Sequence, residues 1–248
     1  MHYYVMTLFP EMIDYIMAQS IIGRALSDEL IKLKIINIRD YAKNRYRQVD
    51  DYPYGGGAGM LMQADPIYSA YKDICKGLKK KPRLIYTTPQ GSLFNQDLAK
   101  ELAKEEELIF LCGHYEGVDE RVLELTEAES ISIGDYVLTG GELPSVVMMD
   151  AISRMIKGVL SNEDSAEFEC FEDGLLEYPQ YTRPSIYEGM EVPEILLSGH
   201  HKNIEEWKRK EALRRTFERR PDLLDTKFLS AKDLSFLQSL GYSKDLKQ

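Results

Sequence analysis

Apolar and polar positions alternate in blocks from residue 1 to about 160. Short apolar runs at Tyr3–Phe9, Leu33–Ile38, Leu84–Thr87, Leu108–Cys112 and Ile131–Val137 have the length of buried strands. Stretches with helical spacing lie between and after them, near 11–30, 65–77, 95–106, 117–125 and 143–157. Strand and helix in regular succession predict an α/β domain on a mainly parallel sheet. Residues 161–175 break the pattern. They are acidic and short of apolar side chains apart from Phe168 and Phe171, which predicts a mobile linker. A Tyr-rich extended stretch with Pro179, Pro184 and Pro193 follows. Asn203 with Glu206 reads as a helix cap and capping box, and the helix it opens stops at Pro221.

Three of the predicted strands run into glycine-bearing loops. Ile131–Val137 leads to Thr139-Gly140-Gly141, with Pro144 suited to the first turn of the next helix. Leu84–Thr87 leads to Pro89-Gln90-Gly91, and Leu108–Cys112 to Gly113-His-Tyr-Glu-Gly117. Parallel α/β sheets bind ligands in a crevice at the carboxyl ends of their strands, so these loops predict one crevice. Its main-chain groups and apolar walls suit a flat heterocycle with a neutral or weakly charged tail. Taken singly, each loop is an ordinary βα turn.

Composition narrows the partners. A hydrophobic content of 44% in 248 residues supports one large domain or two ordinary ones. The net charge of −10 argues against generic electrostatic binding to nucleic acid, DNA included. Local basic stretches remain. Residues 202–220 hold eight Lys/Arg against four Glu, and Arg39, Lys43, Arg45 and Arg47 interleave with Tyr41 and Tyr46. These are RNA-contact candidates against a background of ordinary solvated faces. Apolar runs are too short for a membrane span, and the first ten residues have no basic n-region or cleavage site, so neither anchor nor signal peptide is expected. Cys75, Cys112 and Cys170 form no disulfide framework or zinc motif and fit a reducing cytoplasm, with Cys112 as a small core residue. His2, His114, His200 and His201 lack metal-ligand spacing; His200-His201 reads as a solvated helix lead-in. The glycine-rich run Asp50–Gly59 follows no apolar strand and lacks a closing Lys-Ser/Thr, so it is neither a dinucleotide fingerprint nor a P-loop. It reads as a loop able to approach a backbone or substrate.

These segments, in order, resemble the bacterial tRNA (guanine-N1)-methyltransferases of the TrmD type, in the trefoil-knotted SPOUT class. The matching stretches include Thr7-Leu-Phe-Pro10, Pro53-Tyr-Gly-Gly-Gly57, Pro89-Gln-Gly91, Cys112–Gly117, Ser132–Leu138, Gly140–Pro144, Tyr181-Thr-Arg-Pro184 and Glu188–Pro193. The resemblance implies a deeply knotted S-adenosylmethionine-binding domain over 1–160, a flexible linker over 161–175 and a small, mostly helical tRNA-binding domain over 176–248. It implies a cytoplasmic homodimer with a composite site, and methylation of the guanosine immediately 3′ of the anticodon (position 37) in the tRNA anticodon stem-loop. Dependence on Mg²⁺ is implied too, with no protein metal site visible.

Residue by residue, the resemblance assigns three loops to the cofactor. The first carries Tyr86, Thr87, Thr88, Pro89 and Gln90; the second Gly113, Tyr115 and Glu116. The third carries Ser132, Ile133, Gly134, Tyr136, Val137, Leu138, Gly140, Gly141 and Pro144. It assigns catalysis to Arg154 and to a linker carboxylate. The family has Asp-Ser-Phe at the latter position and this chain has Glu169-Cys170-Phe171, so the base falls on Glu169, with Glu167, Glu172 and Asp173 as neighbouring alternatives. Tyr52 and Ala58 are smaller departures, where the family often has Arg and Pro.

Chemically, guanine N1 becomes nucleophilic only as its proton leaves. A carboxylate can accept that proton, and a guanidinium can stabilise charge developing toward O6. The competing expectations are a SPOUT methyltransferase acting on another RNA position, and a non-catalytic RNA-binding protein whose crevice binds no S-adenosylmethionine. A nucleotide-dependent oxidoreductase is disfavoured by the missing dinucleotide fingerprint.

Overall fold

The computed structural model describes residues 1–160, 174–225 and 228–243. The chain divides into two compact units, Met1–Glu163 and Asp164–Gln248.

The first unit is built on a five-stranded sheet in the order β2-β1-β6-β5-β7, formed by β1 (His2–Thr7), β2 (Lys32–Asn37), β5 (Arg83–Leu93), β6 (Glu107–Cys112) and β7 (Glu129–Ser132). Every pairing in it is parallel, as the alternation of strands and helices predicts. Successive strand residues point to opposite faces, so each strand feeds two cores. Tyr3, Val5, Leu108, Phe110 and Cys112 face α1 (Pro10–Met17), α2 (Ser20–Ser27), α4 (Gln96–Leu102) and α6 (Glu142–Ser153). Tyr4, Met6, Ile109 and Leu111 face α3 (Ala64–Cys75) and α5 (Glu120–Thr126). A small hairpin, β3 (Asp50–Asp51) with β4 (Leu61–Met62), brackets the glycine-rich run.

Several boundaries differ from the sequence expectation. The helix expected over 11–30 is two helices, because Ser20 adopts a left-handed φ of +55° that a continuous helix does not accept. The helix expected from 117 starts at Glu120, where the Asp119 side chain accepts a hydrogen bond from the Arg121 N–H and caps it. The strand expected over Ile131–Val137 ends at Ser132. There the Ser132 hydroxyl accepts from the Gly134 N–H and donates to its carbonyl, turning the chain out of the sheet. Conversely, β5 runs beyond Thr87. Thr87 and Ser92 both pair with Ile131, so Thr88–Gly91 bulges out of a strand that then continues. Pro89 lacks the N–H a ladder needs, which suits it to the bulge.

In the second unit a short hairpin of β8 (Ile186–Tyr187) and β9 (Met190–Glu191) precedes α7 (Glu194–Leu197), α8 (His201–Arg219) and α9 (Ala231–Ser239). Its core holds Leu175, Leu213, Leu224 and Leu237. Leu175, expected as the end of the linker, is therefore a core residue; residues 161–173 lie outside the described part of the chain. The cap expected at Asn203 is also corrected. Helix α8 begins at His201, with no side-chain hydrogen bond at its N-cap among the described residues. The capping box of this unit is Ser230 with Asp233, at the start of α9.

Candidate active site

The two ends of α6 fix its place on the sheet. At its start, Thr7 Oγ1 donates to Glu142 Oε1 at 2.7 Å; near its finish, the Tyr3 and Ser153 hydroxyls lie 3.0 Å apart. All four residues are buried or nearly so, with Glu142 only 3% exposed. Helix α6 is thus pinned to β1 at both ends, and the turn preceding it is held over the carboxyl ends of β5 and β6. The Gly141 N–H donates to the Gly113 carbonyl at 2.8 Å, and Thr87 Oγ1 donates to the Gly141 carbonyl at 3.2 Å. A Cβ at Gly141 would lie 2.7 Å from both Cys112 Cα and Gly113 N. Only glycine permits this approach of one backbone to another.

The three glycine-broken loops therefore meet. They enclose a cavity of about 420 Å³, within the usual size of small-molecule sites. Every residue that the sequence reading assigned to the cofactor lines it, from Tyr86–Gln90 through Gly113, Tyr115 and Glu116 to Ser132–Gly134, Tyr136–Leu138, Gly140, Gly141 and Pro144. The Tyr86 ring packs against Gly113, where a Cβ would come within 2.9 Å of it. Burial, above all, raises the Tyr86 phenol above its ordinary pKa, so the cavity presents it as a neutral hydroxyl. Cys112 is fully buried beneath the cavity with the Ser145 hydroxyl 3.3 Å from its sulfur, and burial raises its thiol pKa strongly. It is an inert core residue, as expected.

The cavity also includes residues that the resemblance did not assign to the cofactor. Leu61 arrives from the β3–β4 hairpin, which flanks the glycine-rich run read from sequence as a loop able to approach a backbone or substrate. His114 sits in the second loop between Gly113 and Tyr115, and its Nδ1 is buried without a hydrogen-bond partner among the described residues. Its position inside the Gly113–Gly117 loop was the available signal.

Of the expected catalytic pair, only Arg154 falls within the described residues. Arg154 caps the far end of α6, its N–H donating to the Asp150 carbonyl, and it does not line the cavity. Ten residues of helix separate it from Pro144, about 15 Å at the helical rise. Glu169, together with Glu167, Cys170, Phe171, Glu172 and Asp173, lies outside the described residues.

The basic stretches are less free than their composition suggests. In the first unit Lys43 pairs with Asp65 at 2.9 Å and Arg47 with Asp40 at 3.1 Å. On α8, Lys208 pairs with Glu205, Lys210 with Glu206, Arg209 with Asp233 and Arg214 with Glu211. His200 and His201 are exposed at its start, as predicted for a helix lead-in. Among the described residues no group of three His, Cys, Asp or Glu could hold a metal, and no helix is long and apolar enough to cross a membrane.

Comparison with known proteins is consistent with this geometry. Residues 1–226 match the family model described as tRNA (Guanine-1)-methyltransferase TrmD. A tRNA (guanine-N(1)-)-methyltransferase of Lachnoclostridium phytofermentans is 50% identical, over 100% of this chain and 99% of its own length. Those of Ruminiclostridium cellulolyticum and Clostridioides difficile are 56% and 54% identical, over 91% and 90% of this chain and 97% of their own lengths. With its cavity built from the matched loops and the match running through both units, the chain belongs to the tRNA (Guanine-1)-methyltransferase TrmD family.

Proposed function

We propose that this protein is an S-adenosylmethionine-dependent enzyme that methylates N1 of the tRNA guanosine immediately 3′ of the anticodon, position 37. Family membership supports the reaction. The single observation that carries the cofactor assignment is the convergence of all three glycine-broken loops on one cavity. Its aromatic wall at Tyr86, its main-chain rim and its tight floor at Gly113 and Gly141 suit an adenosyl group. S-adenosylmethionine supplies the electrophilic methyl group on a sulfonium.

The residues of the chain have positioning and proton-transfer tasks. The loops hold the donor so that its methyl can lie in line with guanine N1. Glu169 accepts the N1 proton, and Arg154 stabilises negative charge on O6. Arg154 stands at the end of α6 away from the cavity of its own chain, which favours a site completed by a second subunit. A homodimer is further supported by exposed apolar side chains on α1 and α6, helices that pack together: Met12, Tyr15, Ile16, Leu143 and Val147. The trefoil knot is supported by the passage of Gly140–Gly141 across the ends of β5 and β6. The domain reading is an S-adenosylmethionine-binding domain over 1–160, a linker over 161–175 and a tRNA-binding domain over 176–248. A cytoplasmic location accompanies the tRNA substrate. Mg²⁺ dependence rests on the family resemblance and is tested by chelation and add-back.

The test is methyl transfer to an unmodified transcript with two guanosines at the 3′ edge of the anticodon, against one lacking the second. Only the first should be methylated, at N1. Glu169→Gln should abolish turnover while cofactor affinity stays within about two-fold; near-normal turnover removes Glu169 from the mechanism. Arg154→Ala should cut turnover more than cofactor binding.

A further inference from the structure

The β3–β4 hairpin is fastened to the rim of the cavity. The Glu116 N–H donates to the Met60 carbonyl at 3.0 Å, the Met62 N–H to the Gly117 carbonyl at 2.9 Å, and the Asp119 N–H to the Met62 carbonyl at 3.0 Å. Gly59 holds the foot of its loop at φ +91°, where a Cβ would come within 2.4 Å of the Glu116 side chain. Leu61, which lines the cavity, is the cross-strand partner of Asp51. Tyr52 follows Asp51 directly. One cross-strand step and one residue along the chain therefore put its Cα within about 10 Å of a cavity residue.

This loop presents aromatic rings to solvent. Tyr52 is 78% exposed and Tyr54 fully exposed, while Tyr46 on the preceding segment is 85% exposed beside the exposed Arg45. A single exposed tyrosine needs no explanation, but here Tyr52 and Tyr54 stand together on one loop tied to the rim of the cavity. Guanine N1 lies on the Watson–Crick edge. Enzymes that reach base atoms in RNA draw the target base out of its stack, which leaves a neighbouring base with a bare face. An aromatic ring beside the entrance can cover that face, and such stacking is strong and tolerant of base identity.

We propose that Tyr52 is a substrate-positioning residue, whose ring stacks on the RNA nucleotide adjacent to the methyl acceptor once that acceptor has entered the cavity. This rests on the tRNA methyltransferase reading above. The ring contributes binding shared by ground and transition states, so its loss acts on KM and leaves kcat alone.

The test uses the full chain with an unmodified tRNA transcript. Tyr52→Ala should raise KM for tRNA by about 5- to 150-fold, the range equivalent to losing one stacked base. It should leave kcat at saturating tRNA and S-adenosylmethionine affinity within about two-fold, and Tyr52→Trp should restore KM. Transcripts made abasic on either side of the acceptor complete the cycle: at the stacked position, removal of the base should cost the wild type and spare the alanine variant. An alanine variant with normal KM overturns the proposal. So does a tryptophan variant as impaired as alanine, or a joint fall in cofactor affinity, which would mark Tyr52 as merely structural. If the wild type fails to methylate the transcript, the tRNA reading itself falls. If the wild type is active and Tyr52→Ala is indistinguishable from it, only the stacking role falls.

Discussion

The loop cavity of the first unit and the basic helix of the second use opposite materials. The cavity is made of close backbone approaches. Gly141 lies against Gly113, Thr87 bonds to the Gly141 carbonyl, and α6 is pinned by Thr7 and Tyr3. Helix α8 is made of charge, and much of that charge is held by carboxylates of its own unit. A glycine that permits contact has few substitutes, whereas an exposed ion pair contributes little and exchanges partners readily. Function that depends on shape should therefore fail abruptly on substitution, and function that depends on surface charge gradually.

The severest test of this contrast is Gly141→Ala. The added Cβ would lie 2.7 Å from backbone atoms of residues 112 and 113, which cannot swing away as a side chain can. Stability should fall by about 1–3 kcal/mol, with S-adenosylmethionine binding weakened about ten- to 200-fold by calorimetric titration. Gly77→Ala is the control, since its Cβ would meet open space, and it should bind normally. Equal behaviour of the two variants would refute the close-approach account.

Next in size is Thr7→Val. It removes the hydroxyl that donates to Glu142 and leaves a carboxylate stranded at 3% exposure. Chemical denaturation should register a loss of about 1–3 kcal/mol, with Thr7→Ser close to wild type.

A smaller effect is expected in the second unit. Burial of Asp233 would raise its pKa, but hydrogen bonds from Arg209 and Ser230 outweigh this and hold the carboxyl below its ordinary range. Its contribution to stability is thus present above the unfolded carboxylate pKa of about 3.9 and is lost as pH falls through the lower folded value. Trp207, the single tryptophan, lies two residues before Arg209 and reports on this unit. The acid limb of its fluorescence titration should flatten in Asp233→Asn; an unchanged limb would assign acid sensitivity to other groups.

The smallest effect belongs to Lys208→Ala. This lysine already pairs with Glu205 and lies 5.1 Å from the Tyr178 ring centre. Its removal should change tRNA affinity by less than about three-fold. A tenfold loss would mean that RNA displaces the carboxylate, and the contrast between the two regions would narrow.

The strand alternation and the glycine-broken loops were legible because they are local. Apolar runs such as Leu108–Cys112 must be buried, and glycines after them mark where another backbone comes near. The same local signals misled where a neighbouring group intervened. Asn203 had the composition of a cap, yet α8 starts ahead of it, and Ser132 ends a strand that its apolar continuation suggested should run on. The ion pairs of α8 were only partly legible. Helical spacing links Lys208 to Glu205, but the partner of Arg209 comes from α9.

By itself the sequence determined the parallel α/β layering, the loops that line the cavity and the family, because periodicity and ordered motifs survive without coordinates. Only the tertiary structure decided that the bulge of β5, the turn after β6 and the approach to α6 enclose one volume, and that the β3–β4 hairpin borders it. It also decided that Arg154 stands away from that volume in its own chain. The physical reason is that periodicity records which side of an element is buried. It does not record which distant backbone the element is pressed against, and that depends on long-range register and on contacts such as Thr7 to Glu142.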